Sequence, residues 1–429
     1  MSEKRPFGFW TATALVVGGM IGSGIFMQPA QLAHYGWASV LAWAISIGGA
    51  LAIAWCLSSL ASQMPEETGA IAITASVLGR LVGVLVGWSY WISVWTAVAA
   101  IAIAATAYIS VFLPALNAQP AYGALCSVAL IWLMTLLNLG GARLAGRFQL
   151  VTTILKLVPL AVVIVIAAWL AWAGALAPPS LPAGFGVAAL TAPVTLTFFP
   201  LVGFETASVA AERVQRPEVT IRRATMAGTA LTGLLYIVVC SGIVLALPAD
   251  KLAASAAPFA LFVETYWGPG AALMIAAFAA IAAIGALNCW VLIQGEVPLS
   301  MARAGLIPRW FAKTRRHDAP ARVLILSSVA ASLLVLFTVS GSLARLFEIV
   351  LLITTSSSLW FYLAVCIAAL VRRVATPAAL LGAAFALWAL WGAGVAPSAF
   401  SLLLTLTALP LYLISRGRGA MPRPATPAG

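Results

Sequence analysis

Residues Gly18–Phe26 read GGMIGSGIF and lie inside an apolar segment that runs from about residue 9 to residue 33. Gly18, Gly19, Gly22 and Gly24 crowd one short stretch. In a helix interior each glycine costs about 1 kcal/mol against alanine. In hydrocarbon, backbone freed from helical bonding must be buried in protein or line a watery cavity. The stretch therefore predicts two half-helices, near 9–17 and 25–33, joined by an unwound turn. The turn offers backbone N–H and C=O groups, and the second half-helix points its positive N-terminus at the break, which suits a carboxylate. The alternative is a close helix crossing with small residues at the contact.

Working outward, apolar runs of about 20 residues, each enough to span ~30 Å of hydrocarbon, recur along the whole chain. The 429 residues are 63% apolar and only 8% charged, with mean hydropathy +1.06, which excludes a soluble globular protein. The expected class is an all-α polytopic membrane protein with spans near 9–33, 37–60, 81–112, 121–139, 147–173, 188–211, 223–247, 270–299, 322–340, 345–371, 376–395 and 397–415. No polar stretch is long enough to fold as a separate domain. With the N-terminus in the cytoplasm, every Lys and Arg except Lys156, Lys251 and Arg345 falls on the cytoplasmic side. This follows the positive-inside rule and accounts for the net charge of +12 without nucleic acid. Lys4-Arg5 before an apolar run also fits a signal peptide, but the glycine break and the immediate second span argue for a retained first helix. The segment 417–429 is rich in Pro, Gly and Arg and reads as disordered.

A second interruption, Phe199-Pro200-Leu201-Val202-Gly203, falls in the sixth span. Pro200 removes a backbone donor and Gly203 loosens the helix further. Each interruption lies in the first helix of a five-span block, and an odd number of spans makes the two blocks inverted copies. Broken helices at matching positions of two halves point to a transporter's substrate site near the membrane midplane. A proline kink without a ligand role is the plainer alternative.

Two ionisable residues sit within apolar spans, where charge is expensive and marks function by default. Glu205 follows the second break and could take up and release a proton; the alternative is a structural acceptor for neighbouring backbone. Lys156, in the fifth span, reads as an ammonium holding the unwound part of span one, or as a side chain snorkelling to the cytoplasmic face. Trp290 lies well inside the eighth span near Asn288 and could stack on a substrate side chain. Most other tryptophans read as packing or interface anchors. Cys56, Cys126, Cys240, Cys289 and Cys366 all fall in apolar segments without paired spacing, and His34 and His317 lie in separate loops. Neither a metal site nor a cofactor is expected. No Ser-His-Asp, Cys-His or clustered carboxylate arrangement is visible, so an enzyme is not expected.

These motifs together resemble the amino acid/polyamine/organocation transporters, and within that superfamily the basic amino acid/polyamine antiporter group, with arginine/agmatine and putrescine/ornithine antiporters as its types. The resemblance rests on GSGIF at Gly22–Phe26, VGFETASVAAE at Val202–Glu212, RPE at Arg216–Glu218, LNLGGAR at Leu137–Arg143, and Gly305-Leu306-Ile307-Pro308. It implies a LeuT-type fold of about twelve helices in a five-plus-five inverted repeat, with repeat one near 9–173, repeat two near 188–371, and two further helices near 376–415. By position, Ser23 and Gly24, beside Ile21, would hold a substrate carboxylate. The carbonyls of Met20, Phe199 and Val202, beside Gly203, would take its ammonium. Trp290 and Thr354 would flank the substrate, Phe199 stands at a gating tryptophan, Tyr90 and Tyr362 match gate tyrosines, and Glu205 matches a proton-sensing glutamate. The sequence departs from the arginine antiporters at Val98 and Gly19, where those carry asparagine. Val98 and Ile101 suit an apolar side chain better. Lys156 resembles the fifth-helix lysine of sodium-independent members and argues against sodium coupling.

The function expected is a secondary transporter of amino acids or their amine derivatives in the cytoplasmic membrane, with both termini cytoplasmic, working by exchange or proton coupling. An exporter of neutral amino acids, of methionine or branched-chain type, is the nearest alternative. A membrane-bound sensor that binds without transport is the alternative from another class, with no appended domain to signal through. Partners expected are the small-molecule substrate, protons, membrane lipid and, as relatives allow, a second copy of the chain; nucleic acid is not among them.

Overall fold

The computed structural model describes residues 8–22, 24–64, 69–140, 152, 155–178, 186–205, 215–314, 320–337 and 343–416. Ser23, the segment 206–214 that would complete span six, and the tail 417–429 lie outside the described residues. Among the described residues the chain is helical, with no strand.

The first apolar segment forms α1 (Phe9–Met20) and α2 (Gly24–Leu32). The two axes meet at 49°. The break is shorter than the glycine content suggests: α1 runs through Gly18 and Gly19 because the ladder still closes, with the Ile21 amide donating to Val17 O at 2.9 Å. Ile21 itself is extended (φ −68°, ψ 91°), and the helix ends there.

The next helices are α3 (Trp37–Gln63), α4 (Ala70–Leu78), α5 (Arg80–Ile109), α6 (Pro120–Leu139) and α7 (Leu157–Trp172). At nine residues α4 is too short to span a membrane. In the second half, α8 (Val187–Phe198) tightens into a 3₁₀ turn at Phe199–Leu201 and stops at extended Val202. Gly203 then takes φ +116°, a conformation that only glycine adopts without strain. Beyond this break lie α9 (Pro217–Ala246), α10 (Pro258–Trp267), α11 (Pro269–Arg303), α12 (Ala321–Phe337), α13 (Leu343–Val371), α14 (Thr376–Gly392), α15 (Val395–Leu406) and α16 (Ala408–Arg416).

By length and composition, seven spans among the described residues can cross a membrane, and eight if the bent α1–α2 pair is one span. Shorter apolar helices form over Leu157–Trp172, Val187–Leu201, Ala321–Phe337 and Thr376–Gly392. The most apolar window of α5 is 94% buried against 22% for Val395–Ser415, so α5 is the central post and α15–α16 the periphery. Around α5 pack α11, α13 and α6. Large side chains such as Trp169, Trp172, Leu381, Trp391 and Val395 face outward, as lipid-facing residues do. The protein is a multi-pass helical membrane protein.

Candidate functional site

The end of α1 leaves carbonyls without intrahelical partners, and distant side chains meet them. The Lys156 ammonium donates to Gly18 O at 2.6 Å and to Ile21 O at 3.0 Å. Lys156 lies at the start of α7 and is buried, so its head is spent on the break and not turned to solvent. The Tyr236 hydroxyl, from α9, donates to Met20 O at 2.7 Å. One turn into α2 the Tyr108 hydroxyl donates to Phe26 O at 2.7 Å. The break is held open by donors from α5, α7 and α9.

The second break is organised by Glu205. Its Oε1 accepts from the Tyr90 hydroxyl at 2.5 Å. Its Oε2 accepts from the Tyr362 hydroxyl at 3.0 Å and from the Gly203 amide at 3.2 Å. The carboxylate is buried, so these donors replace the water it has lost. Phe198 and Phe204 lie against the ring of Tyr362, and Phe361 against that of Tyr90.

The two breaks touch. A methyl group at Gly203 would stand 3.0 Å from Gly19 O, so the absence of a side chain there is what permits the approach. A methyl at Gly24 would lie 3.1 Å from Phe199 Cε1 and 3.2 Å from Pro200 Cα. Phe199 is wedged between Gly24 and Phe347, whose ring it meets edge-on at 5.9 Å.

Beside this junction is a small cavity of about 20 Å³. Met20, Gly22 and Gly24 line it from the first break, and Phe199, Pro200 and Val202 from the second. Ala97 and Ile101 of α5, Trp290 of α11 and Thr354 of α13 complete the wall. Among the described residues, no charged side chain lines it. Its polar side chains include Trp290, with its indole N–H, and Thr354, whose hydroxyl sits 2.9 Å from Thr96 Oγ1 and 2.8 Å from Val350 O. Among the described residues, no three His, Cys, Asp or Glu side chains gather as metal ligands.

Of the residues expected from sequence to contact substrate, Met20, Gly24, Ile101, Phe199, Val202, Trp290 and Thr354 line this cavity. Ile21, Val98 and Gly203 do not: Ile21 gives its carbonyl to Lys156, Gly203 faces Gly19, and Val98 is buried in the helix packing around α5. Glu205, Tyr90, Tyr362 and Lys156 stand behind the wall and hold it in shape. Ala97, Thr96 and Tyr236 are not singled out by sequence, while Gly22 and Pro200 read there as helix interruptions and here also line the cavity. For Ala97 a signal existed: Tyr90, Ala97 and Ile101 recur at helical spacing (i, i+7, i+11), so they share a face that Val98 leaves by one residue. For Tyr236 there was none, since a tyrosine in an apolar span reads as packing.

A pocket formed where a broken helix meets the interrupted end of a second apolar helix, deep in a helical membrane protein, is the architecture of a carrier for a small solute. Residues 7–420 match the family described as amino acid permease. The chain belongs to that family. It is 32% identical to a cadaverine/lysine antiporter of Escherichia coli (strain K12) over 349 residues, which are 80% of this chain and 77% of the relative. It is 26% identical to a putrescine transporter of the same strain over 425 residues, 96% of each chain. As a member of this permease family the protein is a secondary active transporter and not an enzyme. The antiporter and the putrescine transporter among its relatives agree with the basic amino acid/polyamine group that the motifs resemble.

Proposed function

We propose that this permease exchanges an amino acid and a related amine across the cytoplasmic membrane by alternating access, binding them in the cavity between the two breaks. The observation that carries the reading is the contact of Gly203 with Gly19, which brings the end of α8 and the break between α1 and α2 to one small pocket. The N-terminus of α2 at Gly24, with Ser23 beside it, would take a carboxylate. The carbonyls of Met20, Phe199 and Val202 would take an ammonium. The aliphatic part of the substrate would lie along Ala97, Ile101 and Trp290, with Thr354 at its far end.

In this reading Lys156 fixes the first break in its unwound form. Glu205 with Tyr90 and Tyr362 forms the gate that takes up or releases a proton as the second break moves. The chain has twelve spans in two inverted blocks of five, near 9–173 and 188–371, followed by two peripheral spans; both termini are cytoplasmic, and the working unit is a homodimer. The cadaverine/lysine and putrescine names of the relatives favour a cationic substrate. A neutral substrate is the second reading, favoured by a cavity wall that among the described residues holds no acidic side chain.

Counterflow in proteoliposomes tests the proposal. Vesicles loaded with lysine, ornithine, cadaverine, putrescine, methionine or leucine are offered each labelled solute with and without a pH gradient. Exchange of a diamine for its parent amino acid supports the antiporter. Movement of neutral amino acids alone transfers the reading to the second substrate class. Binding without accumulation of any solute refutes transport through this cavity.

A further inference from the structure

Helix α9 carries Thr225, Thr229, Thr232 and Tyr236 at spacings of four, three and four, which places them in one stripe along the helix. The stripe lies in the seam where α9 meets α1 and α3. On one side of it a methyl group at Gly228 would stand 2.7 Å from Val16 of α1; on the other, one at Gly233 would stand 2.8 Å from Ile47 of α3. At the inner end, the ring of Tyr236 meets Trp43 of α3 edge-on at 5.6 Å, and its hydroxyl reaches the cavity-lining Met20 through O at 2.7 Å.

Tyr236 apart, the polar side chains named in this seam have no partner. Oγ1 of Thr225, Thr229 and Thr232 and Nε1 of Trp43 make no hydrogen bond, although each of these residues is at most 1% exposed. Threonines elsewhere in the protein behave differently: Thr74, Thr135 and Thr197 bond back to the carbonyl four residues earlier in their own helices. Three orphaned hydroxyls in one stripe and an orphaned indole N–H on the ring that packs against its end demand an explanation, because buried polar groups are almost always satisfied by protein or by ordered water.

We propose that the seam between α1, α3 and α9 is a water-binding track. Water accepts from the Trp43 indole N–H, exchanges hydrogen bonds with the three threonine hydroxyls, and ends at Tyr236. There it can take over the Met20 carbonyl when Tyr236 releases it, so the wall of the cavity is wetted from behind as well as from its mouth. The track is independent of which solute is carried.

Brief water radiolysis of the full-length protein in phosphatidylethanolamine/phosphatidylglycerol vesicles tests it, since the radicals oxidise side chains that touch water. Tyr108 is the control: it is equally buried, but its hydroxyl is already met by Phe26 O and the Phe259 amide. Trp43 and Tyr236 should oxidise several-fold faster than Tyr108, and the triple variant Thr225→Val, Thr229→Val, Thr232→Val should bring both down to the Tyr108 rate. Oxidation of Trp43 and Tyr236 at the Tyr108 rate in the unaltered protein overturns the proposal. So does a triple variant whose labelling is unchanged. Should the triple variant not fold, Thr229→Val alone and the wild-type comparison with Tyr108 remain decisive.

Discussion

The two breaks are held by opposite charges. At the first, a buried ammonium, Lys156, gathers carbonyl oxygens; at the second, a buried carboxylate, Glu205, gathers an amide N–H and two phenolic hydroxyls. Both solutions answer one problem. An interrupted helix leaves carbonyls at the end of one half and amides at the start of the other, and neither can be left bare in hydrocarbon. A cation suits the end with spare carbonyls, an anion the end with spare amides. The difference also predicts different behaviour: the ammonium meets backbone that cannot change its charge, while the carboxylate meets hydroxyls from α5 and α13 and can exchange a proton without losing every partner.

Removing the cation should have the largest effect. Lys156→Met leaves the Gly18 and Ile21 carbonyls unmet, at about 1–3 kcal/mol each. Initial exchange rates should fall by roughly a hundredfold, taking ~1.4 kcal/mol per factor of ten, with a lowered midpoint of thermal unfolding. Wild-type rates in this variant would break the comparison. Gly203→Ala comes next. It strains a backbone at φ +116° and presses a methyl on Gly19 O, so a loss of about tenfold in exchange is expected from ~1–3 kcal/mol of strain. An alanine that transports normally would show that the breaks need not touch.

Glu205→Gln sharpens the contrast differently. The amide keeps most of the shape and some of the hydrogen bonds, so exchange between equal pH values should survive within about tenfold. The dependence of transport on pH should flatten, and a steep profile retained in the variant would remove the proton role from Glu205. Tyr236→Phe deletes one donor to Met20 O, and about 1 kcal/mol, or roughly fivefold in apparent affinity, is the expected cost. Thr354→Val should act least on exchange itself and most on selectivity, since it changes only the far end of the cavity. The ratio of cationic to neutral substrates in competition measures it.

Much of this was legible in the sequence. Glycine and proline in the middle of apolar spans marked both breaks, because these residues are costly wherever a regular helix is intended. Glu205 and Lys156 stood out because charge in an apolar span needs a reason. The short helices α4 and α10 were not anticipated; in a chain this apolar, a nine- or ten-residue helix between spans carries little contrast. The cavity is lined from α5 by Ala97 and not by Val98, the position that counting from Tyr90 picks out, because the turn of the helix presents Ala97 there.

Composition by itself determined that the chain crosses a membrane many times, because nothing else can accommodate so much apolar surface with so few charges. The positions of glycine, proline and buried charge determined where the helices are interrupted. Only the tertiary structure decided which carbonyl meets Lys156, that Tyr236 reaches Met20 from more than two hundred residues away, and that Gly203 rests on Gly19. Local sequence states what each segment lacks, whereas the group that supplies it comes from whichever helix packs alongside.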